Sequence, residues 1–411
     1  MDSVVLLHLL HTLAPRFNWR LTVLHVHHGI SPNADGWAKF CSDLCTRYEL
    51  ELHIEHVNIA PLRADLGIEA AARKLRQAAF ARHSCDYAAL AHHADDQAET
   101  LLLQLLRGSG IKGVAAMPLL KADATEGPAI LRPLLDSSRH SLLDYAQQHD
   151  LQWVEDESNT DESYSRNFIR HRLLPLLECR FPAYRETLSR SAQHFAEAGE
   201  ILEEVARQDA QDCLSDNTLA VSRLRSLSRP RAKNLLRYFL SIRQASMPHA
   251  AQLDDLLNQL CEAREDAAVC VEFGESQVRR YLDKAYVLSS PVQCDDDPVL
   301  AWNGETELKW PLLNMVITFI HMQGKGISIS KLQRAPVTLR VRGGSEFLRP
   351  APHSATRSLK NLLQEHKVPP WMRERIPLLY CGEELVSVLG VVIASAYQAT
   401  ENEKGVLVSL E

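Results

Sequence analysis

Two adjacent carboxylates, Asp95 and Asp96, follow the histidine pair His92-His93 where an apolar run gives way to a helical pattern. Acids in a first helical turn are favoured by the helix dipole. Capping accounts for one of them, and the second is more than capping needs. Such a pair can hold Mg²⁺ on a polyphosphate or act as a base. Arg73 and Arg76, three apart on a helical pattern, fit either a solubilising face or a phosphate clamp, since guanidinium forks match phosphate oxygens. Arg166 and Arg170, four apart beyond a polar loop, can reach one polyanion together. Asp2-Ser3, ahead of an apolar helix, reads as an N-cap. His25, His27, His92 and His93 also allow a transition-metal site, which ranks well below nucleotide binding because histidines at strand ends are usually satisfied locally.

These groups need a scaffold that gathers them at one edge. Residues 21–26, 52–57 and 87–91 read as buried strands, and helical patterns occupy 37–48, 68–83 and 95–107. Gly108-Ser109-Gly110 stops the last of these helices. Repeated β–α units of this length predict an α/β fold with a doubly wound parallel sheet. Ligands of such sheets lie beyond the carboxyl ends of the strands, where His27-His28-Gly29 and His92-His93 fall. Residues 188–260 read as helical with few strand signals, and Asp295-Asp296-Asp297-Pro298 as a linker. Beyond it, 313–319, 337–341 and 385–393 alternate like half-buried strands, interrupted by one helix over 358–366. The predicted layout is a wound-sheet domain over 1–187, a helical domain over 188–294 and a small α+β domain over 298–411.

Composition narrows the class. The chain has 411 residues, 45% hydrophobic and 24% charged, which excludes global disorder. No apolar run approaches the ~18 residues of a membrane span, and the opening has no secretory signature. Nine scattered cysteines without a C-x-x-C pair argue against a disulfide frame and fit a reducing, cytoplasmic setting. The net charge of −7 is uneven: residues 330–376 hold ten Lys/Arg against three Glu, a local +7 that leaves −14 elsewhere. That is a footprint for a polyanion or an ordinary solvated basic face.

The opening is peculiar. A chain that starts at its own helix cap lacks the preceding strand, which in a wound sheet is usually central. Without it, two inner strands show unpaired edges.

Taken in order, these segments make the chain resemble the tRNA(Ile)-lysidine synthetases, a family of PP-loop ATP pyrophosphatases. The resemblance rests on Asp2-Ser3, His25-Val26-His27-His28-Gly29, Gly67-Ile68-Glu69-Ala70 with Arg73, and His92 with Asp95-Asp96-Gln97-Ala98-Glu99-Thr100. It continues through Arg107-Gly108-Ser109-Gly110, Arg132-Pro133-Leu134, and Asn167-Phe168-Ile169-Arg170 with Leu174-Pro175. Lys360-Asn361-Leu362-Leu363 and Pro369-Pro370-Trp371-Met372-Arg373 resemble the family's last domain.

The resemblance implies two steps on the wobble cytidine of an isoleucine tRNA with a CAU anticodon. ATP adenylates the C2 oxygen of the base and releases pyrophosphate. The ε-amine of free L-lysine then displaces AMP to give lysidine. The first step needs Mg²⁺ and backbone N–H groups on the phosphates; the second needs a neutral amine, hence a nearby carboxylate. Asp2 and Ser3 correspond to the end of the Ser-Gly-Gly-x-Asp-Ser loop, with Asp2 and Asp96 as the Mg²⁺ and activation carboxylates. His28 and Gly29 line the adenine edge, flanked by His92 and Asp95, and Arg73 and Arg170 counter charge at the α-phosphate. Arg76, Arg166 and Asn167, with Arg357, Lys360, Trp371 and Arg373, are the implied tRNA contacts, which position without reading sequence. A homodimer is one assembly the resemblance leaves open.

One departure stands out. Met1 occupies the loop's variable position, so Ser-Gly-Gly, whose glycines let the backbone approach pyrophosphate, is not in the sequence. The expectation is an internal start with about 20–30 residues upstream, and in-frame Ser-Gly-Gly codons before Asp2 are its check. A product starting at Met1 is expected to lack ATP–pyrophosphate chemistry and to fold poorly. The rival readings are a non-catalytic tRNA-binding relative, a PP-loop tRNA thiolase, disfavoured by the missing C-x-x-C, and a His/Asp metallohydrolase.

Overall fold

Aliphatic and β-branched runs form the strands, and each helix ends where its sequence stops favouring it. The computed structural model describes residues 1–122, 127–215, 217–264, 267–289, 299–313 and 315–410, side chains at 65, 66, 69 and 312 excepted. It divides into two units, Met1–Gln208 and Asp209–Glu411.

In the first unit, α1 (Asp2–Phe17) ends at Asn18, whose φ of 55° is the left-handed stop that asparagine tolerates. There follow β1 (Thr22–His27), α2 (Ala34–Arg47), β2 (Glu51–His56), α3 (Ala60–Leu66) and α4 (Ile68–Arg82). β3 (Tyr87–Ala89), α5 (Ala94–Leu106), α6 (Ile111–Val114), β4 (Leu120–Lys121), β5 (Ala129–Leu131) and α7 (Arg139–Gln148) complete the wound part. α8 (Ser165–Phe168), α9 (Leu174–Arg180) and the long α10 (Tyr184–Cys213) come last. The N-cap reading of Asp2 is corrected: Met1 is the cap, and Asp2, the first helical residue, makes no capping bond.

β1 and β2 are parallel, Thr22 opposite Glu51. β3 and β5 are also parallel, with β4 antiparallel on the far edge of β5. The wound sheet therefore stands in two pieces: among the described residues β1 pairs only with β2, and β3 only with β5. α1 packs on α7 through Val5, Leu6, Leu142 and Ala146. α5 packs through Ala98 on Ile169, Leu174 and Tyr184. A fully buried aliphatic side chain contributes about 1.5–3 kcal/mol, so these clusters fix the two helices whose first turns carry the acids.

The second unit begins with β6 (Leu214–Ser215), β7 (Thr218–Ala220), α11 (Val221–Ser226), α12 (Arg229–Ile242) and α13 (Ala250–Glu262). β8 (Cys270–Phe273), β9 (Ser276–Tyr281) and β10 (Lys284–Ser289) join β6 and β7 in an antiparallel sheet of order β6-β7-β10-β9-β8. Leu235, Phe239, Leu256 and Val278 share its core. The expected helical domain therefore also holds a sheet: β6 and β7 interrupt the helical stretch, and the strands over 270–289 lie beyond the residues with helical periodicity. The C-terminal part is α+β: two antiparallel sheets enclose Trp310, Ile317, Leu339, Leu363 and Val386, with the helix Leu359–Glu365 capped by Ser358. The Asp295–Pro298 linker and the boundary at 294 lie outside the described residues. No described helix is long and apolar enough to cross a membrane.

Candidate active site

α5 starts just past β3, and its cap residue His93 lies beside three acids, its Nδ1 3.6 Å from Asp95 Oδ2 and its Nε2 facing the other two. The His93 ring is 2% exposed. Its Nε2 lies 3.9 Å from Asp2 Oδ1 and 3.4 Å from Asp96 Oδ2. The backbone N–H of His93 also donates to Asp96 Oδ2 at 3.0 Å, so Asp96 does cap the helix, as the bland reading required. It does more. Its Oδ1 accepts from Arg166 Nη2 at 2.8 Å and Arg170 Nη2 at 3.2 Å. One turn on, the fully buried Glu99 takes Arg166 Nε at 2.7 Å and both Nε and Nη2 of Arg170, at 2.6 and 3.0 Å. Ile169–Leu173 is a π-helical turn, a distortion frequent at functional sites, and it carries Arg170. Burial opposes the charge of Asp96, but His93, Arg166 and the His93 N–H outweigh it and hold the carboxyl below its ordinary range.

Asp95 faces other partners. Its Oδ2 accepts from the Arg139 N–H at 2.8 Å and its Oδ1 from Arg185 Nε at 2.6 Å, fastening the starts of α7 and α10. Against the opposing effect of burial, those two partners hold its carboxyl low as well.

Beside the acids lies a cleft of about 330 Å³. It brings together Asp2, Ser3, Arg73, Arg76 and His92 from the expected set, and His28, Gly29, Asp95, Asp96 and Arg170 are not among its walls. His92 is pushed down to about 4, chiefly by burial; Asp96 opposes this, and Arg132, Arg166 and Arg76 add to it. It is therefore neutral near pH 7, and its buried Nδ1 has no hydrogen-bond partner. His28 is lowered by burial and then by Arg76, and its own Nδ1 is buried without a hydrogen-bond partner. Gly29 follows at a φ of 65° with open space around it, a conformation that favours glycine.

The expected tRNA contacts divide. Asn167 is buried, and its amide donates to Ser158 O at 2.8 Å and Asp161 O at 2.9 Å, pinning the polar loop. Arg357 pairs with Glu365 at 2.6 Å. Trp371 packs edge-on against Tyr286 and Tyr281, with Arg279 over its ring. Arg373 donates to Val368 O at 2.8 Å and to the Tyr281 hydroxyl at 3.1 Å. Lys360 is exposed, as are Arg334, Arg349, Lys367 and Arg375 of the basic stretch.

A family profile described as a PP-loop domain matches residues 1–177. Profiles described as the TilS substrate binding domain and the TilS substrate C-terminal domain match 219–286 and 337–410. The tRNA(Ile)-lysidine synthase of Nitrosomonas europaea is 40% identical to this chain, over all of it and 89% of the relative. Those of Azoarcus sp. and Coxiella burnetii are 38% and 36% identical, covering 99% and 98% of this chain and 89% and 90% of their own. The chain belongs to the tRNA(Ile)-lysidine synthase family.

For a lysidine synthase, the site holds groups to which the sequence assigned no role: Glu99, Arg132, Arg139 and Arg185. Glu99 had a signal, since it lies three residues past Asp96 on one helix face, and Arg132 stood in a block that carries the resemblance. Arg139 and Arg185 had none, because their partner Asp95 is brought close only by tertiary packing. The donors present fit Mg²⁺: Asp2 Oδ1 is buried without a hydrogen-bond partner, and Asp96 Oδ2 faces the same imidazole. Mg²⁺ takes one or two carboxylates and leaves its other positions to water and phosphate. The four-histidine alternative fares worse. No three His, Cys, Asp or Glu side chains among the described residues converge to hold a metal, and His27 Nε2 instead lies 3.0 Å from Asp35 Oδ1.

Proposed function

We propose that this chain attaches free L-lysine to a cytidine of an isoleucine tRNA at the expense of ATP, forming lysidine, in the cleft beside α1 and α5. The observation that carries this reading is the meeting of Asp2 and Asp96 on one imidazole, next to a cationic cleft. ATP is the nucleotide its PP-loop domain uses. Asp2 and Asp96 would hold Mg²⁺, which when bound neutralises charge on the phosphates.

The chain's own side chains do the rest. Arg73 faces the phosphates from α4, and Arg170, held by Glu99, presents fixed positive charge where the α-phosphate becomes more negative. His92, neutral and unpaired at Nδ1, together with His28 and Gly29, offers an uncharged edge to adenine. A carboxyl held as low as that of Asp96 is a weak proton acceptor, so Asp96 orients cations rather than taking protons. The division at 1–187, 188–294 and 298–411 belongs to the same proposal and is supported by the order of the three matched profiles. The exposed cations of the basic stretch serve the tRNA backbone in it.

The test is AMP release by the full-length gene product. Release that needs both lysine and CAU-anticodon tRNA supports the proposal. Nucleotide turnover indifferent to either substrate, or tRNA binding without turnover, contradicts it.

A further inference from the structure

Arg132 stands just past the end of β5, with only 6% of its surface exposed, and it lines the cleft. Its Nη1 donates to Pro118 O at 2.8 Å, while its buried Nε–H has no acceptor. No carboxylate among the described residues lies within ion-pair distance of it. Native structures satisfy buried N–H groups almost without exception, and a buried guanidinium is usually paired as well. The surroundings add to the imbalance. Arg73 shares the lining, and among the described residues Asp2 is the acid in it. Burial and the nearby Arg73 both weigh against the Arg132 charge. A buried guanidinium with an unmatched N–H and no carboxylate partner, set beside a second guanidinium, is completed by an oxyanion.

We propose that Arg132, with Arg73 beside it, is an anion-binding residue of the cleft that takes an oxyanion of a substrate. Under the proposed function two substrates can supply that oxyanion: the phosphates of ATP and the α-carboxylate of lysine. Both match a guanidinium fork.

The experiment titrates the full-length protein and its Arg132→Met, Arg132→Lys and Arg73→Gln variants with inorganic tripolyphosphate, ATP, L-lysine and cadaverine, the carboxylate-free analogue of lysine. Unliganded melting temperatures are recorded alongside. The expected result is at least a tenfold loss of affinity in Arg132→Met for tripolyphosphate and ATP, or for lysine but not cadaverine. The first pattern assigns a phosphate and the second the carboxylate. Arg132→Lys recovers part of the loss, and the unliganded Arg132→Met protein melts no lower than wild type, because an unpaired buried charge has been removed. Arg73→Gln, at an exposed position, weakens the same ligand. Affinities within twofold of wild type in Arg132→Met overturn the proposal. If Arg132→Met does not fold, unchanged affinities in both Arg73→Gln and Arg132→Lys overturn it. Lysidine formation is not a readout, so failure of the proposed reaction and failure of this site are told apart.

Discussion

Glu99 and Arg170 meet fork to fork: Oε1 takes Nε at 2.6 Å and Oε2 takes Nη2 at 3.0 Å. Glu99 is fully buried, and Arg166 reaches its second oxygen. The pair sets where Arg170 can point, and therefore where Asp96 finds its countercharge. Bidentate carboxylate–guanidinium contacts add geometric specificity as well as energy.

Glu99→Gln therefore acts on stability and on the site together. Removing one partner of a buried ion pair leaves uncompensated charge and costs about 3–5 kcal/mol. Urea unfolding measures the loss, and lysidine formation falls with it because Arg166 and Arg170 lose their anchor. A variant within ~0.5 kcal/mol of wild type would deny Glu99 this role.

Acid lability should come in two stages. The folded-state value of His92 lies at about 4, below the ordinary histidine value, so the unfolded chain takes up its proton first as the pH falls. Its contribution is complete above about pH 6.5 and is lost between there and about 4. Asp95 and Asp96 are held low, so their contributions are present above the ordinary carboxylate range and vanish only as the pH falls through their folded values. Denaturant midpoints at pH 7.5, 6.5, 5.5 and 4.5 read the first stage. His92→Asn makes it shallower, with the remainder left to His28, His25 and His8, which burial also lowers; an equally steep loss in that variant assigns the whole effect to those histidines.

Lys360 and Trp371 should separate. Lys360→Ala leaves the melting temperature unchanged, weakens tRNA binding and lowers the salt slope by about one. Trp371→Ala removes a ring packed between Tyr281 and Tyr286 and costs roughly 2–3 kcal/mol. It leaves the salt slope unchanged. Stability at the wild-type level with weakened tRNA binding in Trp371→Ala would make Trp371 a tRNA contact instead of a packing residue.

The sequence made the acids legible and the arginine partners less so. His92 through Asp96 could be located because the carboxyl ends of wound-sheet strands are where ligands bind, a rule that depends only on element order. Asp2 entered through the resemblance. Arg166 and Arg170 were visible as a pair, but not their grip on Glu99, which depends on a π-helical turn that no periodicity encodes. Trp371 and Arg373 read as part of a basic surface because their partners, Tyr281, Tyr286 and Arg279, are distant in sequence. The strands over 270–289 are not legible locally: only packing against the α12 and α13 side chains makes their alternation count.

The central claim is that Asp96 works at the reacting phosphates and is not merely the cap of α5. Its most direct test is Asp96→Asn in the full-length protein, assayed for lysine incorporated into CAU-anticodon tRNA by nucleoside mass spectrometry. The amide keeps the shape and can still accept the His93 N–H, so the cap survives while the charge is lost. Lysidine formation at least 100-fold slower than wild type, in a protein that still binds tRNA, is the predicted result. Near-normal lysidine formation in Asp96→Asn contradicts the account.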